Sequence, residues 1–92
     1  MLKTFRIVIT GKVQGVWYRA SAKDRAIALG LTGKVWNEPN GDVGAIVQGE
    51  EDKVMQFVQW CKQGPPLAKV DEVTYEEIDY QQFSGFDISR NS

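Results

Sequence analysis

Between Val13 and Arg19 the chain reads VQGVWYR, and these residue types, in this order, are suited to holding an anion. Gly15 opens backbone conformations closed to other residues, so successive N–H groups can converge on one point. A helix beginning just beyond would add its own unpaired N–H groups and the positive end of its dipole. Arg19, at that helix start, supplies a planar charged fork that matches phosphate. One reading of Gln14, Gly15, Val16, Trp17, Tyr18 and Arg19 is therefore a cradle for a phosphate-sized dianion. The other is a tight strand-to-helix turn with Arg19 on a solvated helix face, and spacing alone does not choose between them. Neither nucleotide-binding loop, G-x-x-x-x-G-K-S/T nor G-x-G-x-x-G, occurs in the chain.

The cradle carries no nucleophile of its own. Phosphatases that attack with a thiolate place a cysteine six positions before the arginine, and here that position is Val13. The one cysteine, Cys61, belongs to an apolar helical stripe and reads as a core residue. There is no histidine, which removes the commonest general base and any cysteine/histidine zinc site. Hydrolytic chemistry at this loop would have to use water directly. Asn37 precedes the turn Glu38-Pro39-Asn40-Gly41, where asparagine commonly serves as a turn residue.

The elements that must position these residues follow from the periodicities. In TFRIVIT, Phe5, Ile7 and Ile9 alternate with Arg6, Val8 and Thr10, as in a strand with one better-buried face. Ala22, Ala26, Ile27 and Leu29 recur at helical spacing between Tyr18 and Leu29, with Gly30 placed to end the helix. LTGKVWNEPNGDVGAIVQG reads as two strands joined at Asn40-Gly41, with Val43, Ala45 and Val47 on one face of the second. Acidic Glu50, Glu51 and Asp52 open a second helix whose stripe is Val54, Phe57, Val58 and Cys61, and Gly64-Pro65-Pro66 stops it. VDEVTYEEIDY gives a longer strand, and Phe86 and Ile88 mark a short last one. The βαββαβ order predicts an α+β, ferredoxin-like α/β sandwich: an antiparallel sheet of four to five strands with two helices side by side on one face.

The chain has 92 residues, 42% of them hydrophobic and 25% charged, as expected of one globular domain spanning 1–92. Eleven basic against twelve acidic residues leave no broad footprint for nucleic acid, so any anion must be held locally. The start, MLKTFRIVIT, is interrupted by Lys3 and Arg6 and does not read as a signal peptide, and no apolar run approaches membrane-spanning length. The expectation is a cytoplasmic protein without membrane or nucleic-acid partners. Whether the SRNS tail, with Arg90, packs near the loop is not legible at this level.

Two motifs carry a family resemblance. ITGKVQGVWYR resembles the acylphosphatase signature of aliphatic, any, Gly, any, Val-Gln-Gly-Val, any, aromatic, Arg. GKVWNEPNGDVGAIVQG resembles that family's second motif, built on Gly33, Asn37, Gly41, Val43 and Gly49. It departs in having Lys34 where an aromatic is usual and Trp36 where a polar or basic residue is usual. Because alternate strand residues share a face, the aromatic has moved two residues along one sheet face, which leaves Val35 core-facing but puts a bulky ring beside Asn37. The resemblance implies hydrolysis of a small-molecule acyl phosphate to a carboxylate and inorganic phosphate. It implies that Arg19 and the N–H groups of Gln14 to Arg19 bind the phosphate, that Asn37 positions the water, and that inorganic phosphate is product and competitive inhibitor. It further implies a monomer using no metal and no cofactor. The competing reading is a non-catalytic ferredoxin-like phosphate- or RNA-binding module displaying Trp36, Trp60, Tyr75 and Tyr80, although the K/R-G-F/Y-G/A-F-V-x-F/Y pattern is absent. Retention of both Arg19 and Asn37 speaks against a version that has lost turnover.

A cradle complete without an ion predicts that hydrolysis of benzoyl phosphate, followed in the ultraviolet, continues unchanged in excess chelator. Loss of turnover on chelation, restored by Mg²⁺, is the contrary outcome.

Overall fold

A computed structural model describes residues 1–89, so the tail residue Arg90 lies outside the described residues. The elements run β1 (Leu2–Lys12), α1 (Tyr18–Ala28), β2 (Thr32–Asn37), β3 (Val43–Glu50), α2 (Glu51–Cys61), β4 (Lys69–Glu77) and β5 (Phe86–Ile88). They build one sheet in the order β4-β1-β3-β2-β5. Ile7, Ile9, Val35, Val43, Ala45 and Val47 are buried in one core with residues of both helices, which places the helices on one sheet face.

The four longer strands are antiparallel, as the sequence predicts, but β5 runs parallel to β2 and makes the sheet mixed. The end of β4, the start of β1, the end of β3 and the start of β2 all lie at the same end of the sheet. A chain leaving β4 there and crossing to the far edge must enter β5 in the direction of β2. Gln48 pins this crossing: its Nε2 donates to the Gln81 carbonyl at 2.8 Å, and its Oε1 accepts from the Gln81 amide at 3.0 Å. Thr4 Oγ1 also donates to Gln48 Oε1, so the buried amide has its oxygen and nitrogen both engaged.

Each helix buries a narrow stripe. In α2, Val54, Phe57, Val58 and Cys61 are fully buried, as their spacing predicts. In α1 the buried residues are Tyr18, Ala22 and Ala26, whereas Ile27, expected on this stripe, is exposed. The i, i+4, i+8 line fixes the inward side, and Ile27 is rotated about 100° from Ala26. Phe57 packs against Trp60 and Phe86, with ring centroids 5.9 and 6.2 Å away. Burying a ring of this size contributes about 1.5–3 kcal/mol.

Trp36 and Asn37 point to opposite faces of β2, so the expected crowding does not occur. The Trp36 ring lies over Gly44 so closely that a Cβ there would meet it at 2.6 Å. Its indole Nε1 donates to Glu38 Oε2 at 2.7 Å, and Lys34 Nζ sits 5.6 Å from the ring centroid. The two departures from the family motif thus form one unit on the face away from the helices.

Tyr18 joins the two helices. Its hydroxyl donates to the Cys61 carbonyl at 2.7 Å, and its ring lies 5.3 Å from that of Trp60. Burial pushes the Cys61 thiol up to about 12, against a smaller opposing effect of the Tyr18 hydroxyl. Burial likewise raises the Tyr18 phenol well above its ordinary value. Both groups keep their protons in the folded chain after an unfolded chain, with thiol and phenol near 8.5 and 10, has begun to lose them. Their contribution to stability is therefore complete below about pH 8.5 and declines as pH rises toward 12. Thermal melts followed by circular dichroism should show this alkaline fall. In Cys61→Ala the fall, relative to that variant's own neutral melting temperature, should begin nearer pH 10, where the unfolded phenol titrates.

Candidate active site

The stretch leaving β1 is nailed to the core at three positions. Val13, Val16 and Tyr18 are buried, while Gly15 and Trp17 face outward and Gln14 and Arg19 are half-buried. Two residues between the anchors take left-handed backbone conformations, Gly15 at φ 74° and Trp17 at φ 67°. A Cβ on Gly15 would meet nothing within 4 Å, so it is the dihedral angle and not lack of space that calls for glycine. Trp17 has no such licence; a left-handed aromatic is strained by about 1–3 kcal/mol.

Trp17 is also the N-cap of α1, and it offers no side-chain acceptor to the helix amides. Ser21 N is the first to find a partner, donating to the Trp17 carbonyl at 3.0 Å. From Gln14 to Ala20, no backbone N–H donates to a backbone or side-chain acceptor among the described residues. These amides lie at the positive end of the α1 dipole, and Arg19 belongs to the same first turn. They border a cleft of about 430 Å³ whose walls are Val13, Gly15, Trp17, Tyr18, Arg19, Ala20 and Ile88 of β5. An anion seated there would meet donors from backbone and side chain at once.

Asn37 is not one of the cleft walls. It ends β2 opposite Val43, and its Oδ1 is buried without a hydrogen-bond partner among the described residues. The turn beyond it does not use that amide. Glu38 N donates to Asp42 O at 2.8 Å, Gly41 N to Glu38 O at 3.1 Å, and Asp42 N to Asn40 Oδ1 at 3.0 Å. Asn40 is thus the turn residue, and Asn37 is left with a buried acceptor to spare. A buried polar atom in that condition costs about 1–3 kcal/mol unless something binds it.

Gln14 connects the two halves. Its side-chain Nε2 donates to the Glu38 carbonyl at 2.8 Å and to the Asp42 carbonyl at 2.9 Å, which uses both amide hydrogens. The first residue of the loop thereby clasps the β2–β3 turn next to Asn37. Sequence reasoning assigned Gln14 only a backbone N–H. No periodicity pairs a side chain with carbonyls 24 and 28 positions away, and the only available signal was a two-donor amide next to Gly15 at the start of the loop. Among the described residues, no group of three or more His, Cys, Asp or Glu side chains is arranged to hold a metal ion.

Comparison with known proteins places this geometry among relatives. The acylphosphatase family model matches residues 5–88. An acylphosphatase of Pelotomaculum thermopropionicum is 45% identical over 84 residues, covering 90% of this chain and 91% of its own. An acylphosphatase structure from Coxiella burnetii superposes with a TM-score of 0.93 at 39% identity, covering 96% of this chain and 93% of its own. That from Bacillus subtilis gives 0.92 at 32% identity, covering 97% and 99%.

If the loop amides and Arg19 form the anion site, inorganic phosphate should change the tryptophan emission saturably, and Trp17→Phe should abolish most of the change. An equal response in that variant would place the bound phosphate near Trp36 or Trp60 instead.

Proposed function

The chain belongs to the acylphosphatase family and hydrolyses acyl phosphates, and we propose that the Gln14–Arg19 loop holds the substrate phosphate while Asn37 holds the attacking water. The unbroken run of unpaired amides from Gln14 to Ala20, which includes that of Arg19, carries this reading. An acyl phosphate presents a charged phosphoryl end joined to a good carboxylate leaving group, so catalysis can rest on positioning and charge stabilisation. The loop N–H groups and the guanidinium bind the non-bridging oxygens. A water held by the Asn37 side-chain amide keeps a lone pair free for phosphorus.

As the water oxygen bonds to phosphorus, the bond from phosphorus to the acyl oxygen breaks and the carboxylate leaves. The water proton passes to a phosphate oxygen, so no titrating side chain is required and inorganic phosphate remains in the cradle. The absence of histidine from the sequence is then no obstacle. The same product explains competition by free phosphate, which needs the same amides and Arg19. Within this proposal the enzyme works in the cytoplasm without metal or nucleic acid, and a monomer suffices, since Arg19, the amides and Asn37 all come from one chain.

The two side chains are expected to separate kinetically. Arg19 meets charge in both bound substrate and transition state, so Arg19→Ala should weaken phosphate binding and slow turnover together. Asn37 touches only the water, so Asn37→Ala should leave the inhibition constant for phosphate nearly unchanged while lowering kcat by about 10²-fold or more. Circular dichroism and thermal melts check that both variants are native. A folded Asn37→Ala protein with near-normal kcat, or an Arg19→Ala protein binding phosphate as tightly as the parent, would refute the assignment of roles.

A further inference from the structure

We propose that Trp17 and Ile88 form a subsite for the acyl half of the substrate, and that it selects acyl phosphates carrying an aromatic group. This rests on the phosphate reading above and adds to it what lies on the other side of the scissile bond. Trp17 is 76% exposed and Ile88 37% exposed, and both wall the same cleft as Arg19. Neither exposure serves the core, because Val13, Val16 and Tyr18 already anchor the loop. Trp17 even holds its indole there from a left-handed backbone that glycine would adopt without strain. Strain of this kind persists where the surrounding structure or a function requires the side chain's placement.

The occupant follows from covalent geometry. In an acyl phosphate the carbonyl group is attached to the phosphate through one oxygen, so seating the phosphate on the amides delivers the acyl substituent to the nearest wall of the cleft. At about 430 Å³ the cleft is of small-molecule size, well beyond what phosphate alone occupies. Arg19 is its one charged wall among the described residues, and it is already engaged by phosphate. The exposed side chains left to meet the acyl substituent are the Trp17 indole and the aliphatic Ile88. These suit a flat apolar ring, which can stack on the indole, better than a charged or strongly hydrated substituent.

The test compares benzoyl phosphate with acetyl phosphate in the full chain. The quantity read is the ratio of their kcat/KM values, which cancels any loss common to both substrates through disturbance of the loop. Trp17→Gly keeps the left-handed backbone and removes the ring; it should lower the benzoyl-to-acetyl ratio by about tenfold relative to the parent. Ile88→Ala, outside the phosphate loop, should lower it by about threefold. An unchanged ratio in either variant overturns the two-sided subsite. If Trp17→Gly fails to fold, Ile88→Ala decides alone. Hydrolysis of both substrates with unaltered selectivity would remove the subsite and leave the phosphate reading intact. A parent protein that hydrolyses neither would remove both.

Discussion

Backbone amides left without acceptors from Gln14 to Ala20 are the constraint around which the rest of this small fold is arranged. A loop free to choose would pair its N–H groups with its own carbonyls or with capping side chains, because unpaired donors are tolerated only where solvent or ligand can reach them. Here that relaxation is blocked. Val13, Val16 and Tyr18 are buried on alternate sides of the exposed Gly15 and Trp17, so refolding the loop would pull apolar side chains from the core. The Tyr18 hydroxyl is held by the last residue of α2, and the Gln14 side chain by the β2–β3 turn.

The sheet supplies the rigidity that such a loop needs. β1, which leads into it, is paired on both sides, by β3 and β4. β2 carries Asn37 to the same region and is itself bounded by β3 and β5. The crossing that delivers β5, and with it Ile88, is fixed by the Gln48 amide at the opposite end of β2. Positioning in this protein therefore comes from central strands and from a few long-range hydrogen bonds. That is consistent with chemistry done by groups that need not titrate, for which placement is the main resource.

The face away from the helices shows how a departure from a family motif is absorbed. Trp36 covers Gly44, receives Lys34 over its ring and ties its indole to Glu38. Since alternate residues of a strand point to opposite faces, this rearrangement leaves the side of β2 that bears Val35 and Asn37 undisturbed. Glu38 thus serves both faces: its carboxylate holds Trp36, and its carbonyl accepts Gln14.

The sequence by itself determined the order of strands and helices, the two buried stripes apart from Ile27, the hairpin at Asn40-Gly41 and the loop ending on Arg19. Each is a local matter: a period of two or of about 3.6, a residue that tolerates positive φ, or an element-ending glycine or proline. The full signature also made the family legible, and with it the proposed roles of Arg19 and Asn37. Tertiary structure alone decided that β5 runs parallel to β2, that Ile27 faces solvent, that Trp36 packs away from Asn37, and that Ile88 joins Trp17 at the cleft. It also decided that the buried Asn37 oxygen is left unpartnered beside the Gln14 clasp. These outcomes depend on groups distant in the chain meeting in space, and no local pattern records whether a distant acceptor will already be taken.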